Sequence, residues 1–137
     1  MKLSVVNALA LILAGIKINR ITDKEVKTAL VNDYLHLRRF AKKAEEDRDE
    51  IVRKFREDWK DELPVIEAYR REGKPIAGQE DYLEAEKDAN KAIADLFSAE
   101  VDTEVKSVPM DVFLGACGGE ELNLEQIALL QENGIIG

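Results

Sequence analysis

The stretch of sequence that decides the fold is residues 22–61, TDKEVKTALVNDYLHLRRFAKKAEEDRDEIVRKFREDWKD. It holds no proline and no glycine, and apolar side chains recur at heptad spacing, which is typical of a helix with one buried seam. The first heptad position is held by Leu30, Leu37, Ala44 and Ile51, and the second by Tyr34, Ala41, Arg48 and Phe55, with Trp59 extending the stripe. The predicted helix is about 60 Å long. Because propensity alone does not stabilise such a length, the seam needs a partner.

The start of this helix carries two sequence signals. Thr22 and Glu25 have the spacing of a capping box, and Ile21 and Val26 have that of a hydrophobic staple. Together they predict that the helix begins directly after Thr22.

The segments after and before the long helix predict a second helix and two short strands. A helix with an apolar stripe is predicted over 79–98, and folding it back on the long helix gives an antiparallel hairpin with its tip near 62–78. Its acids then come level with the basic stretch 24–43. The β-branched residues of 16–21 and the alternating residues of 101–107 each predict a strand, so an antiparallel two-stranded ribbon is expected at the base of the hairpin.

The predicted fold class is therefore mainly α, with a minor α+β component. Small flanking helices are expected after Pro109 and after Asn123, where Gln126 completes a second capping box. We expect one domain over 1–137. It consists of an N-terminal helix and strand at 1–21, the helical hairpin at 22–98, and a strand with C-terminal helices at 99–137.

The composition and the charge pattern exclude several classes of function. The chain has 137 residues, 45% of them hydrophobic and 35% charged, and a formal net charge of −8. Residues 1–43 carry nine Lys and Arg against three Asp and Glu, a net +6, so the other residues carry 11 against 25, a net −14. The acidic total disfavours direct nucleic-acid binding, which needs a concentrated basic surface. One cysteine and one histidine exclude a disulfide framework, a cysteine-rich zinc site and a multi-histidine metal centre.

The N-terminal residues 3–14, LSVVNALALILA, form an apolar stretch after Lys2. In length and in its basic start this stretch is similar to a secretory signal, although Asn7 interrupts it and Lys17 and Arg20 follow it. It is too short to span a bilayer, and we expect no contact with a membrane. The other interpretation is a first helix that is buried in the core or against another chain. If the helix packs against another chain, the candidate contact residues are Val5, Leu9, Ile12 and Leu13.

Few residues suggest catalytic or metal chemistry. Asp33 and His36 lie three apart on one helix, a spacing that carboxylate-bridged metal proteins use twice and this chain uses once. Cys117 has no basic residue near it in the sequence, which indicates a structural thiol. Gly118 and Gly119 lack the spacing of a phosphate-binding loop and predict a flexible joint. We therefore expect no enzyme, no metal and no cofactor. A small metal enzyme that uses Asp33 and His36 is the third hypothesis.

Two further surfaces are candidates for binding a protein partner. The acidic run of the long helix is expected to be a solvated face, or a mimic of nucleic-acid charge. Its candidate residues are Glu45, Glu46, Asp49 and Glu50. The hairpin tip carries Trp, Tyr and Arg side chains, which anchor many interfaces, although Trp59 and Tyr69 can also pack on each other. The tip candidates are Trp59, Tyr69, Arg70 and Arg71.

The order of these features resembles that of small bacteriophage and prophage proteins that have a long helical hairpin and two short strands. The similar stretches are LALILAGIKI at 9–18, LRRFAKKAEEDRDEI at 37–51 and EVDTEVKSV at 100–108. The resemblance implies an assembly factor, a virion component or a protein that acts on a host system. We therefore expect a protein–protein interaction module with a structural or assembly role, in the bacterial cytoplasm or on the virion. The alternative is an acidic charge mimic that inhibits a host defence or nucleic-acid enzyme.

Overall fold

The computed structural model describes residues 1–117 and 121–137, and these form six α-helices. They are α1 (Leu3–Ala14), α2 (Lys24–Asp58), α3 (Leu63–Arg71), α4 (Glu80–Ser98), α5 (Met110–Cys117) and α6 (Leu124–Glu132), with a 3₁₀ turn at Ile18–Arg20. The predicted mainly α class is confirmed. Gly118 and Gly119, predicted as a flexible joint, lie outside the described residues. The chain divides into two compact units, and α2 contributes to both. The first unit is Met1–Lys43 with Ala99–Gly137, and the second is Ala44–Ser98.

The core of the first unit is built around α1. Six of the 12 residues of α1 are buried, and Val6 and Leu9 have no exposed surface. Phe113 of α5 and Leu130 of α6 are equally buried in the same cluster. Because each fully buried side chain of this size contributes about 1.5–3 kcal/mol, hydrophobic burial holds α1 in place. The sequence prediction of a buried first helix is confirmed.

The α2 helix begins one residue later than predicted. The carboxylate oxygen Oδ1 of Asp23 accepts hydrogen bonds from the backbone N–H groups of Glu25 and Val26, at 2.9 and 3.1 Å. Asp23 therefore caps the helix, and the prediction that Thr22 does so was wrong. Thr22 and Asp23 are both residue types that can cap a helix, and the acceptor in the structure is the carboxylate of Asp23.

The predicted seam of α2 is the face that the chain covers itself. Leu30 and Leu37 are buried in the core of the first unit, Ala44 is 1% exposed, and Ile51 is half-buried. The helix has 35 residues and is therefore about 52 Å long. The partner that such a long helix needs is supplied, for Leu30 and Leu37, by the rest of the chain.

The described residues form no sheet, so the predicted two-stranded ribbon was wrong. Residues 16–21 contain the 3₁₀ turn Ile18–Arg20, where the N–H of Arg20 donates to the carbonyl of Lys17 and that of Ile21 to the carbonyl of Ile18, both at 3.1 Å. The two isolated bridges of the described chain join Lys2 to Glu100 and Val108 to Ile136. The apolar side chains at 16 and 18 still pack against the core, so their burial was correctly indicated and their conformation was not.

Residues 101–106 keep the predicted alternation without a partner strand, whereas Ser107 is exposed. Val101, Thr103 and Val105 are half-buried, and the residues between them are exposed. The N–H of Val101 donates to the carbonyl of Met1 at 2.9 Å, which ties the start of this segment to the N-terminus. A period of two in the sequence describes which side chains face the core, and it does not specify which groups receive the backbone hydrogen bonds.

The second unit is centred on Tyr82 of α4, which is 2% exposed. Leu63 and Ile66 of α3 complete its buried cluster. The rings of Phe55 and Trp59 lie with their centroids 5.4 and 5.6 Å from that of Tyr82, at separations typical of favourable aromatic pairs. The unit is therefore a cluster of three helical segments held by aromatic and aliphatic contacts.

The predicted long antiparallel hairpin is not supported. The predicted tip contains α3, which contributes two of the three residues of the buried cluster around Tyr82. A cavity of about 220 Å³ lies between α2, α3 and α4, and Tyr82 of the buried cluster lines it. The apolar side chains on its wall include Val52, Phe55, Leu63, Ala89 and Ile93.

Two of the α4 acids that were predicted to pair with the basic stretch 24–43 pair with other cations. Glu86 pairs with Arg70 of α3 at 2.6 Å, and Asp95 pairs with Lys91 one turn earlier at 2.9 Å. Cations on the same or the neighbouring helix are therefore the ones that reach these carboxylates.

Candidate functional site

An apolar groove of about 220 Å³ opens on the first unit. The end of α1, Ile16 and Ile18 of the segment that follows it, and one face of α2 form its walls. The side chains on these walls include Leu13, Ile16, Ile18, Leu30 and Tyr34. The α2 edge of the groove is formed by Val31 and Leu35, which are 42% and 50% exposed. Large apolar side chains that share an exposed patch are a recurrent mark of protein contact surfaces.

Cations flank the exposed edge of this groove on α2. Lys27 lies one turn before Val31, and Arg38 lies one turn after Leu35, so all four side chains share one face of the helix. Arg38 is exposed, while Lys27 is half-buried and donates to Oδ1 of Asn19 at 3.3 Å. An apolar centre with charged neighbours is the arrangement that protein interfaces commonly have.

The candidate contact residues of α1 lie mostly inside the molecule. Leu9, Ile12 and Leu13 are 0%, 9% and 7% exposed, and Val5 is half-buried. These side chains are therefore covered by the chain itself. Leu11 of the same helix is 68% exposed and was not predicted.

The exposed apolar pair on α2 was also missed by the sequence analysis. Val31 and Leu35 stand four residues apart and lie off the heptad seam. That spacing places two apolar side chains on one turn of the solvent face, which is the signal that would have found them.

Asp33 and His36 both accept hydrogen bonds from the backbone of residues 104–106. The ring nitrogen Nε2 of His36 accepts from the N–H of Glu104 at 2.9 Å, and Oδ1 of Asp33 accepts from the N–H of Lys106 at 2.8 Å. Asp33 and His36, three residues apart on α2, thus accept from the backbone N–H groups of Lys106 and Glu104, which are two residues apart on a segment without regular secondary structure. They serve this segment as a neighbouring strand would, which is a structural role.

The electrostatic setting of Asp33 is unusual for a carboxylate. Asp33 is 3% exposed, and its second oxygen Oδ2 is buried with no hydrogen-bond partner in the described chain. Burial raises the pKa of Asp33, against the opposing effects of the Lys106 N–H and the neighbouring His36. Within residues 1–117 and 121–137, no group of three His, Cys, Asp or Glu side chains is arranged to hold a metal ion.

The candidate residues of the predicted tip have contacts within the second unit. The ring of Trp59 packs edge-on against Tyr82, at an interplanar angle of 89°. Arg70 donates two hydrogen bonds to Glu86, at 2.8 and 2.6 Å, and this pair holds the pKa of Glu86 below its usual range. Tyr69 is half-buried, and Arg71 is exposed. Trp59 and Arg70 are therefore engaged by the chain itself.

The acidic candidates on α2 are all exposed, and arginines of the same helix compensate part of their charge. Glu45 and Asp49 lie 3.6 and 3.2 Å from Arg48. Glu50 forms two hydrogen bonds with Arg53 and also has a lowered pKa. Glu46 is exposed on the same surface. The run is less negative than its carboxylate count indicates.

The single thiol is placed where it reacts poorly. Cys117 at the end of α5 is 2% exposed, and burial raises its pKa. Because the thiolate is the nucleophile, both properties lower its reactivity.

Comparison of the chain with protein-family models, with curated proteins and with solved structures gives no match. Among the described helices, none combines the length and the apolar character needed to cross a membrane.

Proposed function

We propose that this chain is a non-enzymatic protein–protein interaction module of phage or prophage origin, with a structural or assembly role that it performs through its helices. The observation that carries the proposal is the groove of the first unit with its exposed edge, Val31 and Leu35. The phage context is supported by the resemblance in the order of sequence features.

The placement of the reactive groups supports binding in preference to chemistry. The side chains of Asp33 and His36 accept backbone hydrogen bonds, and Cys117 is buried. By contrast, the exposed apolar edge on α2 costs free energy in water, and a protein partner would remove this cost by covering it.

The test is affinity capture from infected or lysogenic cells with mass-spectrometric identification, comparing the wild-type chain with the variant Val31→Ser/Leu35→Ser. We expect one or more partner proteins that bind the wild type and that are lost with this variant. The matched control is Val65→Ser/Leu124→Ser, since these two side chains are also exposed, at 43% and 84%, and lie outside the groove. Equal capture by all three proteins would contradict the proposal.

The charge-mimic alternative has its own supporting observation, namely the exposure of the four acidic candidates on one stretch of α2. The variant that replaces all four carboxylates by amides separates the two functions. Loss of a captured host defence or nucleic-acid enzyme with this variant, together with a steep fall in its affinity as salt rises, favours the mimic. Retained binding excludes it. The four changes are Glu45→Gln, Glu46→Gln, Asp49→Asn and Glu50→Gln.

A further inference from the structure

The α2 helix presents two exposed patches of opposite charge. The basic patch consists of Leu35, Arg38 and Lys42 in the first unit, and the acidic patch consists of Glu45, Asp49 and Val52 in the second. Within each patch the residues are three and four positions apart, so each patch occupies one face of the helix.

The basic patch has charges that the chain does not compensate. Within the described residues, neither Arg38 nor Lys42 forms an ion pair or a side-chain hydrogen bond, and both are exposed. Leu35 beside them is 50% exposed and forms part of the edge of the groove. This surface therefore suits a partner that combines carboxylates with an apolar side chain.

The acidic patch has that composition. Val52 is 38% exposed, and the side chains of Glu45 and Asp49 are 64% and 67% exposed. Both carboxylates share one cation, Arg48, so the patch retains net negative charge.

We propose that the partner of the basic patch is the acidic patch of a second copy of this chain, and that two copies pair antiparallel through α2. This inference rests on the proposed function, because it names the first partner of that interaction surface. Along α2 the order is apolar, cation, cation in one patch and anion, anion, apolar in the other. The reversed order matches the patches only when the two helices run in opposite directions.

A single register satisfies all three pairs of residues. It places Leu35 opposite Val52, Arg38 opposite Asp49, and Lys42 opposite Glu45, and the two residue numbers add to the same value in each pair. A twofold axis repeats the three contacts, so that both patches of both copies are used. A parallel twofold pairing would instead place Arg38 against its own copy, where like charges repel.

The test is sedimentation equilibrium of charge-reversal variants of the full chain. In both Arg38→Glu/Lys42→Glu and Glu45→Lys/Asp49→Lys, all the ionic contacts of a homodimer become repulsive, and we expect self-association about a hundredfold weaker than in the wild type. An equimolar mixture of the two variants restores every opposite-charge contact, as does one chain that carries all four changes. Both are expected to dimerise like the wild type, and the wild-type dimer is expected to weaken as salt rises.

The control is Arg39→Glu/Lys54→Glu, which changes the charge of α2 by the same amount and in the same direction as Arg38→Glu/Lys42→Glu, at exposed positions outside both patches. We expect this control to dimerise normally, and far-UV circular dichroism checks that every variant is folded. Dimers that persist in both charge variants, or that the mixture fails to restore, overturn the inference. A monomeric wild type that still binds a captured protein through Val31 and Leu35 also overturns it, while the proposed function stands. A monomer without such binding refutes both.

Discussion

Replacement of Asp33 tests whether this carboxylate acts as a buried clamp for residues 104–106. Asp33→Leu keeps the branched shape of the side chain and removes the acceptor of the Lys106 N–H, whereas Asp33→Asn keeps the acceptor and removes the charge. Asp33 is 3% exposed, and its Oδ2 has no partner in the described chain. Comparing the two variants therefore separates the effect of the hydrogen bond to Lys106 from the effect of the buried charge.

The expected magnitudes follow from the 2.8 Å bond and from the burial of Asp33. A buried N–H left without an acceptor costs about 1–3 kcal/mol, so Asp33→Leu is expected to destabilise the first unit by that amount at low pH, where Asp33 is neutral. At neutral pH the wild type also carries the desolvation cost of the ionised carboxyl. Asp33→Asn is therefore expected to be at least as stable as the wild type at neutral pH.

The dependence of stability on pH has a definite sign. The pKa of Asp33 is raised in the folded state, so the folded state binds this proton more tightly than the unfolded state does. The resulting stability is complete below the unfolded pKa and is lost as the pH rises through the folded pKa. In the Asp33→Asn variant this component of the pH dependence is expected to be absent.

Two measurements check the clamp. Urea denaturation followed by far-UV circular dichroism, at a series of pH values, gives the free energy of unfolding of the three proteins. Amide hydrogen exchange by NMR gives the protection of the Lys106 N–H, which is expected to fall in Asp33→Leu and to persist in Asp33→Asn. Unchanged protection at Lys106 in Asp33→Leu, or an unchanged pH profile in Asp33→Asn, would refute the reasoning.

Three further predictions concern the two cores and the ion pair of α3 and α4. Phe113→Ala is expected to cost about 3–5 kcal/mol in urea denaturation, because Phe113 is fully buried, and a smaller loss would mean that the site collapses around the cavity. A double-mutant cycle of Arg70→Met and Glu86→Gln is expected to give a coupling of about 0.2–1 kcal/mol at neutral pH, since both side chains are partly exposed. This coupling is expected to disappear as the pH falls through the lowered folded pKa of Glu86. Cys117 is expected to react with a thiol reagent much more slowly in the folded protein than in urea, and equal rates would show that it is accessible.

The sequence correctly predicts the features whose interacting residues are close together in the chain. The capping box of α6 is one example, since Oδ1 of Asn123 accepts from the N–H of Gln126 at 2.8 Å and the Gln126 side chain accepts in return at 2.9 Å. The α2 seam is another, because its period depends only on helix geometry. Even here, the choice between Thr22 and Asp23 as the cap of α2 needed the structure.

The features that were predicted wrongly depend on partners far away in the chain. The acceptors for the Glu104 and Lys106 amides are side chains 68 and 73 residues earlier. A backbone N–H has no residue-specific signature, so the sequence does not indicate that Asp33 and His36 hold this segment. In the same way, Trp59 contacts the ring of Tyr82 and not that of Tyr69, because tertiary packing of α4 brings the more distant ring to it.

The distribution of charge follows the same principle and has a consequence for association. The acids of the helix at 79–98 were expected to lie level with the basic stretch 24–43, and the acidic run of α2 was expected to be a solvated face. In the structure, Glu45, Asp49 and Glu50 of this run are paired with arginines one to three residues away on α2. Such exposed local pairs form because they order few additional groups, and each contributes little. Cations such as Arg38 that have no acid at a suitable helical spacing therefore stay uncompensated at the surface. An acidic helix face that also offers an apolar side chain is then the surface that can neutralise Arg38 while covering Leu35 beside it.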